Sequence, residues 1–257
     1  MPIIHPTSIV SKNAEIADDV EIGPFCFIED DVKIDKGTKL LSHVVIYNGA
    51  RIGKNNKFFP GSVIAAVPQD LKFNNEYTEV FIGDNNVIRE SVTISKATLA
   101  TKKTVIGNSC LLMAYVHVAH DCVVGNNCIL ANSVQLAGHV TLEDYVIIGG
   151  LTGVHQFTRV GQHVMIGACS KIVKDIPPYT LFSGNPISYE GLNIIGLRRR
   201  GFSDKSINTL KHAYSILYSS SYNVSQAIKK IKEDVELTEE VQNLLKFLDG
   251  SKRGLSK

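Results

Sequence analysis

The chain has 257 residues, 27 basic against 25 acidic side chains, no Trp and 7% aromatics. This near balance gives no case for a nucleic-acid protein, and no apolar run approaches the ~20 residues that span a bilayer. The N-terminal MPIIHPTSIV has no basic leader and is interrupted by His and Pro, so the expected compartment is the cytosol, and the five cysteines show no zinc-type pairing.

From Ile4, every sixth residue is large and apolar: Val10, Ile16, Ile22, Ile28, Ile34, Leu40, Ile46, Ile52, Phe58 and Ile64. A second series runs from Ile82 through Ile106, Leu130 and Ile148 to Ile172, interrupted only by Ala100. A helix repeats near 3.6 and an exposed strand near 2, so a period of six predicts a short strand followed by a corner. The next residue is often small, as at Gly23, Gly53, Gly83, Gly107 and Gly125, which suits a sharp bend. A second column of small core residues includes Cys26, Cys110, Cys122 and Cys128, so these cysteines are expected as packing residues. The pattern resembles the left-handed parallel β-helix of hexapeptide-repeat proteins, in which three units make one triangular coil. At 18 residues per coil, the span from Ile4 to Ile172 holds between nine and ten coils.

Two excursions break the period, at about residues 65–80 and 97–103. Long departures from a rigid scaffold often carry function. The repeat ends near Asp175–Pro178, and the β-helix with its connection is expected over 1–190. A small α-helical domain, which includes the basic run at Arg198–Arg200, is expected over 191–257. Ser203, Asn223 and Thr238 mark three helix starts, the last helix stopping before Gly250.

Coil arithmetic also locates chemistry. Residues 18 apart stack on neighbouring coils where nothing is inserted. His120 then stacks under Gly138, Gly138 under Gln156, and Asp121 under His139. The stretch HVAHDC, with LAGHV and VHQF above it, gathers His117, His120, Asp121, His139, His155 and Gln156 near one edge. An imidazole beside a carboxylate is the pairing used for general-base chemistry near neutral pH. A backbone N–H one coil away offers an oxyanion donor, and Gly138 permits close approach. The alternative for the same histidines is a zinc site of His117, His120 and His139.

QDLK at Gln69–Lys72, IGDNNVIRESVTI at Ile82–Ile94, HVAHDC, LAGHV, VHQF, DIPPY at Asp175–Tyr179 and RRGF at Arg199–Phe202 together resemble the UDP-N-acetylglucosamine acyltransferases. The resemblance covers essentially the whole chain. It implies acyl transfer from an acyl carrier protein to the glucosamine 3-position of UDP-N-acetylglucosamine, at the start of lipid A synthesis. His120 would be the base, Asp121 its orienting partner and the Gly138 N–H the oxyanion donor. Lys72 and His139 would bind the nucleotide sugar with Asp70, His117, His155 and Gln156 nearby, and Asn193, Arg199 and Arg200 would contact the nucleotide. Ala168 would set acyl-chain length. A homotrimer with sites between subunits is implied, and would explain how Lys72 meets His120. No metal or resident cofactor is implied, because phosphopantetheine arrives on the carrier protein. Ile195 and Pro186 depart from the pattern, which leads one to expect an acidic residue and a histidine there.

Overall fold

A computed structural model describes residues 1–219 and 221–257. Strands of mostly two residues follow one another at every sixth position and stack into three sheets. The first face begins with Ile3–Ile4 and rises through Met165–Ile166, the second runs from Ile9–Val10 to Lys171–Ile172, and the third from Glu15–Ile16 to Arg159–Val160. All their ladders are parallel, except that Thr180–Ser183 and Ser188–Leu192 close the first face as an antiparallel pair. The whole is a left-handed parallel β-helix followed by a helical region.

Register makes the excursions countable. Lys39 pairs with Lys57, eighteen positions on, but Lys57 pairs with Val87 and Val87 with Leu111, thirty and twenty-four positions on. The first excursion therefore adds twelve residues and the second adds six, together one full coil. The span expected to hold between nine and ten coils holds between eight and nine.

The six-residue column forms the continuous core: Ile22, Leu40, Phe58, Ile88, Leu112, Leu130, Ile148 and Ile166 on the first face are at most 2% exposed. The residue before each points outward, as the two-residue alternation requires. Cys26, Cys110, Cys122 and Cys128 are buried free thiols in the second column, and Cys169 is exposed.

The small residues have a different cause from the one expected. The left-handed backbone that turns each corner falls two positions later, at Asp121, Asn127, Ser133, His139, Tyr145, Leu151, Phe157, His163 and Cys169, with φ between 56° and 65°. Gly23 and Gly107 are small because the next coil lies directly against them. A Cβ on Gly23 would sit 1.8 Å from the Leu41 carbonyl oxygen, and one on Gly107 2.7 Å from the Gly125 carbonyl carbon.

Among the described residues the helical region has four helices, one more than expected. A short α1 (Ile194–Arg199) contains most of the basic run. The three expected starts hold: Ser203 caps α2 (Asp204–Leu217), Asn223 caps α3 (Val224–Asp234) in a reciprocal capping box, and Thr238 caps α4 (Glu239–Asp249). This region has its own core around Leu210, Tyr214, Leu244 and Phe247. It meets the prism through Tyr189 and Tyr218, which pack against both cores.

Candidate active site

The histidines meet on the edge where the second face turns into the third. His117 lies in the second-face strand His117–Val118, and His120 and Asp121 form the following corner. One coil up, the His139 N–H donates to the His120 carbonyl at 3.0 Å. Above that, the Phe157 N–H donates to the Gly138 carbonyl at 3.1 Å. The stacking of Gly138 on His120 and of His139 on Asp121 is thus observed. His155 and Gln156 share the edge two coils above His120 and are exposed.

His120 Nδ1 is 2.7 Å from Asp121 Oδ2. Because the carboxylate accepts, Nδ1 carries the proton in the neutral ring, leaving Nε2 with its lone pair. That imidazole occupies the space a side chain at position 138 would fill. A Cβ on Gly138 would lie 2.5 Å from His120 Cε1 and 2.7 Å from Nε2. Among the described residues no protein acceptor takes the Gly138 N–H.

Asp121 is 3% exposed. Burial pushes its pKa up, but hydrogen bonds from Thr101, His120 and Thr98 outweigh burial and hold it below the usual carboxylate value. Thr98 donates its hydroxyl to Oδ2 at 2.8 Å and its amide at 3.2 Å, and Thr101 donates its amide at 3.2 Å and its hydroxyl to Oδ1. Both threonines come from the second excursion. The sequence marked that excursion as functional but did not single out these residues; the break in period was the available signal.

His139 crosses His120 edge-on at 5.2 Å and stacks on Phe157 at 4.4 Å. Its pKa is lowered, first by burial and further by His120, against opposing pulls from Asp121 and Asp70. His117 is also lowered, by burial and then by His120, and its Nδ1 is 2.7 Å from Thr93 Oγ1. Both rings are biased toward neutral, polar contacts. A groove of about 380 Å³ runs up the second face from His117 past the stacked Gln135 and Gly153 to Lys171, with His155 on its border. Ala168 is exposed on the far border of that face, in the corner preceding Lys171.

The first excursion leaves the second face and returns to the third, so Asp70 and Lys72 arise on the same edge as His120 within one chain. The Asp70 charge reaches His139. A partner subunit is therefore not needed to explain the meeting of this loop with the histidines, as had been expected. Asn193, Arg199 and Arg200 lie elsewhere. Asn193 caps α1 and donates to the His163 carbonyl at 3.0 Å, Arg200 lies over Tyr145 at 5.2 Å, and Arg199 is exposed. Tyr145 and His163 mark the edge between the third and first faces. One chain does not bring these three residues to His120.

A family model described as "Udp N-acetylglucosamine O-acyltransferase; Domain 2" matches residues 175–256, and a six-repeat bacterial transferase hexapeptide model matches residues 103–138. The acyl-[acyl-carrier-protein]--UDP-N-acetylglucosamine O-acyltransferase of Thermodesulfovibrio yellowstonii is 49% identical over 98% of both chains. The chain belongs to the UDP-N-acetylglucosamine O-acyltransferase family. The protein of the same name from Thiobacillus denitrificans is 46% identical over 99% of both chains. The UDP-N-acetylglucosamine acyltransferase structure from Bacteroides fragilis is 45% identical, with a TM-score of 0.98 over 99% of this chain and 100% of that one. The Arabidopsis enzyme's structure gives 32% identity and a TM-score of 0.86 over 99% of this chain and 100% of that one.

The zinc reading fares poorly on geometry. The donors within 4.8 Å of one another are His120, Asp121 and His139, without His117. Both Asp121 oxygens already accept from Thr98, Thr101 and His120, and His117 Nδ1 is engaged by Thr93. A carboxylate offers about four lone-pair sites, so little remains for a cation. No described helix is long and apolar enough to cross a membrane.

Proposed function

We propose that this member of the family transfers a 3-hydroxyacyl group from an acyl carrier protein to the glucosamine 3-hydroxyl of UDP-N-acetylglucosamine, the first step of lipid A synthesis. The observation that carries the reading is the His120–Asp121 pair lying over Gly138. The near-full-length relatives are named for acyl transfer from an acyl carrier protein to an oxygen of UDP-N-acetylglucosamine.

His120 Nε2 takes the proton of the sugar hydroxyl as the oxygen attacks the thioester carbonyl. Asp121 favours the imidazolium that forms. The carbonyl oxygen becomes an oxyanion beside the Gly138 N–H. Collapse re-forms the carbonyl, breaks the C–S bond and expels the phosphopantetheine thiolate, which recovers the proton from His120. Atoms and charge balance without a metal or resident cofactor; phosphopantetheine belongs to the donor substrate.

The groove across the second face suits the acyl chain. Asp70, Lys72, His139, His155 and Gln156 on the catalytic edge suit the nucleotide sugar. The active form is a homotrimer in which Asn193, Arg199 and Arg200 of one copy face the catalytic edge of the next. Two observations support this assembly. The three residues sit on another edge of the prism, and the outward row on the upper first face is apolar: Val87, Leu111, Ile129, Ile147, Met165 and Leu181. Lower down, the same row reads Glu21, Lys39 and Lys57. A cytoplasmic location fits a carrier-protein donor.

The test is purified protein with UDP-N-acetylglucosamine and a panel of 3-hydroxyacyl carrier proteins, products read by mass. His120→Ala is expected to lose at least ~100-fold in turnover while keeping the wild-type melting temperature and trimer mass. Near-normal turnover in a folded His120→Ala protein sinks the base assignment. A fully active monomer sinks the shared site.

A further inference from the structure

The second excursion adds only six residues to the coil, and they converge on one atom group. Thr98 gives Asp121 two donors, and Thr101 gives two more. The Thr101 hydroxyl has a second acceptor, the Lys103 carbonyl at 3.0 Å, but its contact with Asp121 is the shorter. The loop is itself anchored: Thr78 donates its hydroxyl to the Ala97 carbonyl at 2.6 Å, and the Lys102 N–H bonds the Thr98 carbonyl at 2.9 Å. From the start of the third-face strand, Thr104 Oγ1 accepts the Asp121 N–H at 2.9 Å. Three threonines thus fix both the backbone and the carboxylate of this one residue.

A buried carboxyl without such donors favours its neutral form. A protonated Asp121 loses the charge that favours the imidazolium, and its O–H can donate to Nδ1 and stabilise the wrong tautomer. A rotated one would point Oδ2 away from Nδ1. We propose that Thr98 and Thr101 are positioning residues of the His120–Asp121 pair, and that the second excursion exists to supply them. The inference rests on the reading of His120 as the base. The titratable groups around the carboxylate are His120 on its own corner, the adjacent buried Cys122 thiol and His139 on the coil above, with His117 and Asp70 one contact further out.

The sign of the pH effect is determined. Removing hydroxyl donors leaves Asp121 more basic. If it stays ionised, it holds the proton of the imidazolium more firmly. If it takes up a proton, the pair is no longer competent. Either way the competent state, neutral His120 beside ionised Asp121, is reached only at higher pH.

The experiment compares wild type with Thr98→Val, Thr101→Val, the double variant, and the corresponding serine variants, measuring kcat and KM across pH. The double valine variant is expected to lose about tenfold or more in kcat/KM near neutrality. Its acid limb moves to higher pH, KM for the UDP-sugar stays near wild type, and serine at both positions restores the profile. A double valine variant with wild-type kcat and acid limb overturns the proposal. So does a loss that is uniform across pH and not repaired by serine. If the double variant does not fold, the single variants decide through the His120 imidazole titration, followed by nitrogen NMR on histidine-labelled protein without substrate. An unchanged titration overturns the proposal. His120→Gln separates the two failures. If it destroys turnover while the threonine variants behave as wild type, only this inference falls; if it retains turnover, the base assignment falls first.

Discussion

The imidazole of His120 occupies the volume that a side chain on residue 138 would take, with Cε1 2.5 Å from the position of a Gly138 Cβ. Gly138 is not among the residues with left-handed backbone, so its lack of a side chain serves the neighbouring ring, not the local chain path. Glycine had been expected there to admit the thioester; the structure adds that it seats the base.

Gly138→Ala should therefore fold, because the clash is with a side chain that can swing away. The swing removes Nε2 from its place beside the residue-138 N–H. We expect kcat to fall by ~100-fold or more, with little change in melting temperature. Steady-state kinetics and a thermal melt on the same preparation check this. A Gly138→Ala enzyme within a few-fold of wild type would contradict the seating argument.

Lys72 is exposed on the first excursion, its amide held by Asp70 Oδ1 at 2.9 Å. The loop is tied down where Tyr77 accepts from Arg51 at 2.7 Å and donates to Asp31 at 3.0 Å. A cation on a tethered loop whose neighbouring Asp70 charge reaches His139 suits a diphosphate. Lys72→Ala is expected to raise KM for the UDP-sugar by roughly tenfold, leaving KM for the acyl carrier protein within about twofold. Equal effects on both substrates would remove Lys72 from the nucleotide side.

Ala168 is exposed in the corner just before Lys171–Ile172, the uppermost strand that lines the groove from His117, and is not itself one of the lining residues. The family resemblance makes this the position that limits the acyl chain, and a small side chain there would leave its path open, so the wild type is expected to prefer long 3-hydroxyacyl chains, on the order of 14 carbons. Ala168→Met shortens the groove by several methylenes, each contributing ~0.8 kcal/mol when buried. Preference should move toward roughly ten-carbon donors without loss of catalysis. Competition between long and short acyl carrier proteins reads the ratio directly. An unmoved ratio, or a wild type that already prefers short chains, excludes Ala168 as the determinant.

His163 lies between Tyr145 at 4.7 Å and Tyr179 at 5.7 Å, with Phe202 edge-on, and its Nδ1 has no hydrogen-bond partner among the described residues. Burial, and then the Arg200 charge, bring its pKa down to about 4. A histidine that titrates near 6.5 when unfolded binds its proton there first. Stability is therefore full above about pH 6.5 and falls as pH drops toward 4, by up to about 3 kcal/mol. Replacing the ring by His163→Phe removes the titrating group and the unpaired nitrogen together. Denaturant midpoints at pH 7.5 and 4.5 should differ less in His163→Phe than in wild type. Equal pH dependence would show that another group governs acid stability.

Much of this molecule is legible one residue at a time. The six-residue step names the buried column from Ile22 upward, because a coil must return an apolar side chain inward at fixed intervals, while Ile4 at the open lower end is exposed. The caps Ser203, Asn223 and Thr238 mark helix starts, because capping is a contact within one turn. The stacking of Asp121 under His139 follows from addition alone, since nothing is inserted between coils there. Tertiary structure decided what depends on the path of the insertions and on the packing between coils. Register revealed that the two excursions consume a whole coil, which moved the count down by one. Close approach of Leu41 to Gly23, not backbone freedom, explained the small column. Thr98 and Thr101 reach Asp121 from twenty-three and twenty positions away, through a loop whose course no period predicts. Asn193 and Arg200 went to a different edge from His120, because the chain crosses the top of the prism before α1 and docks on Tyr145 and His163. A repeat specifies everything that recurs, whereas hydrogen-bond partners at its interruptions depend on where the extra residues go.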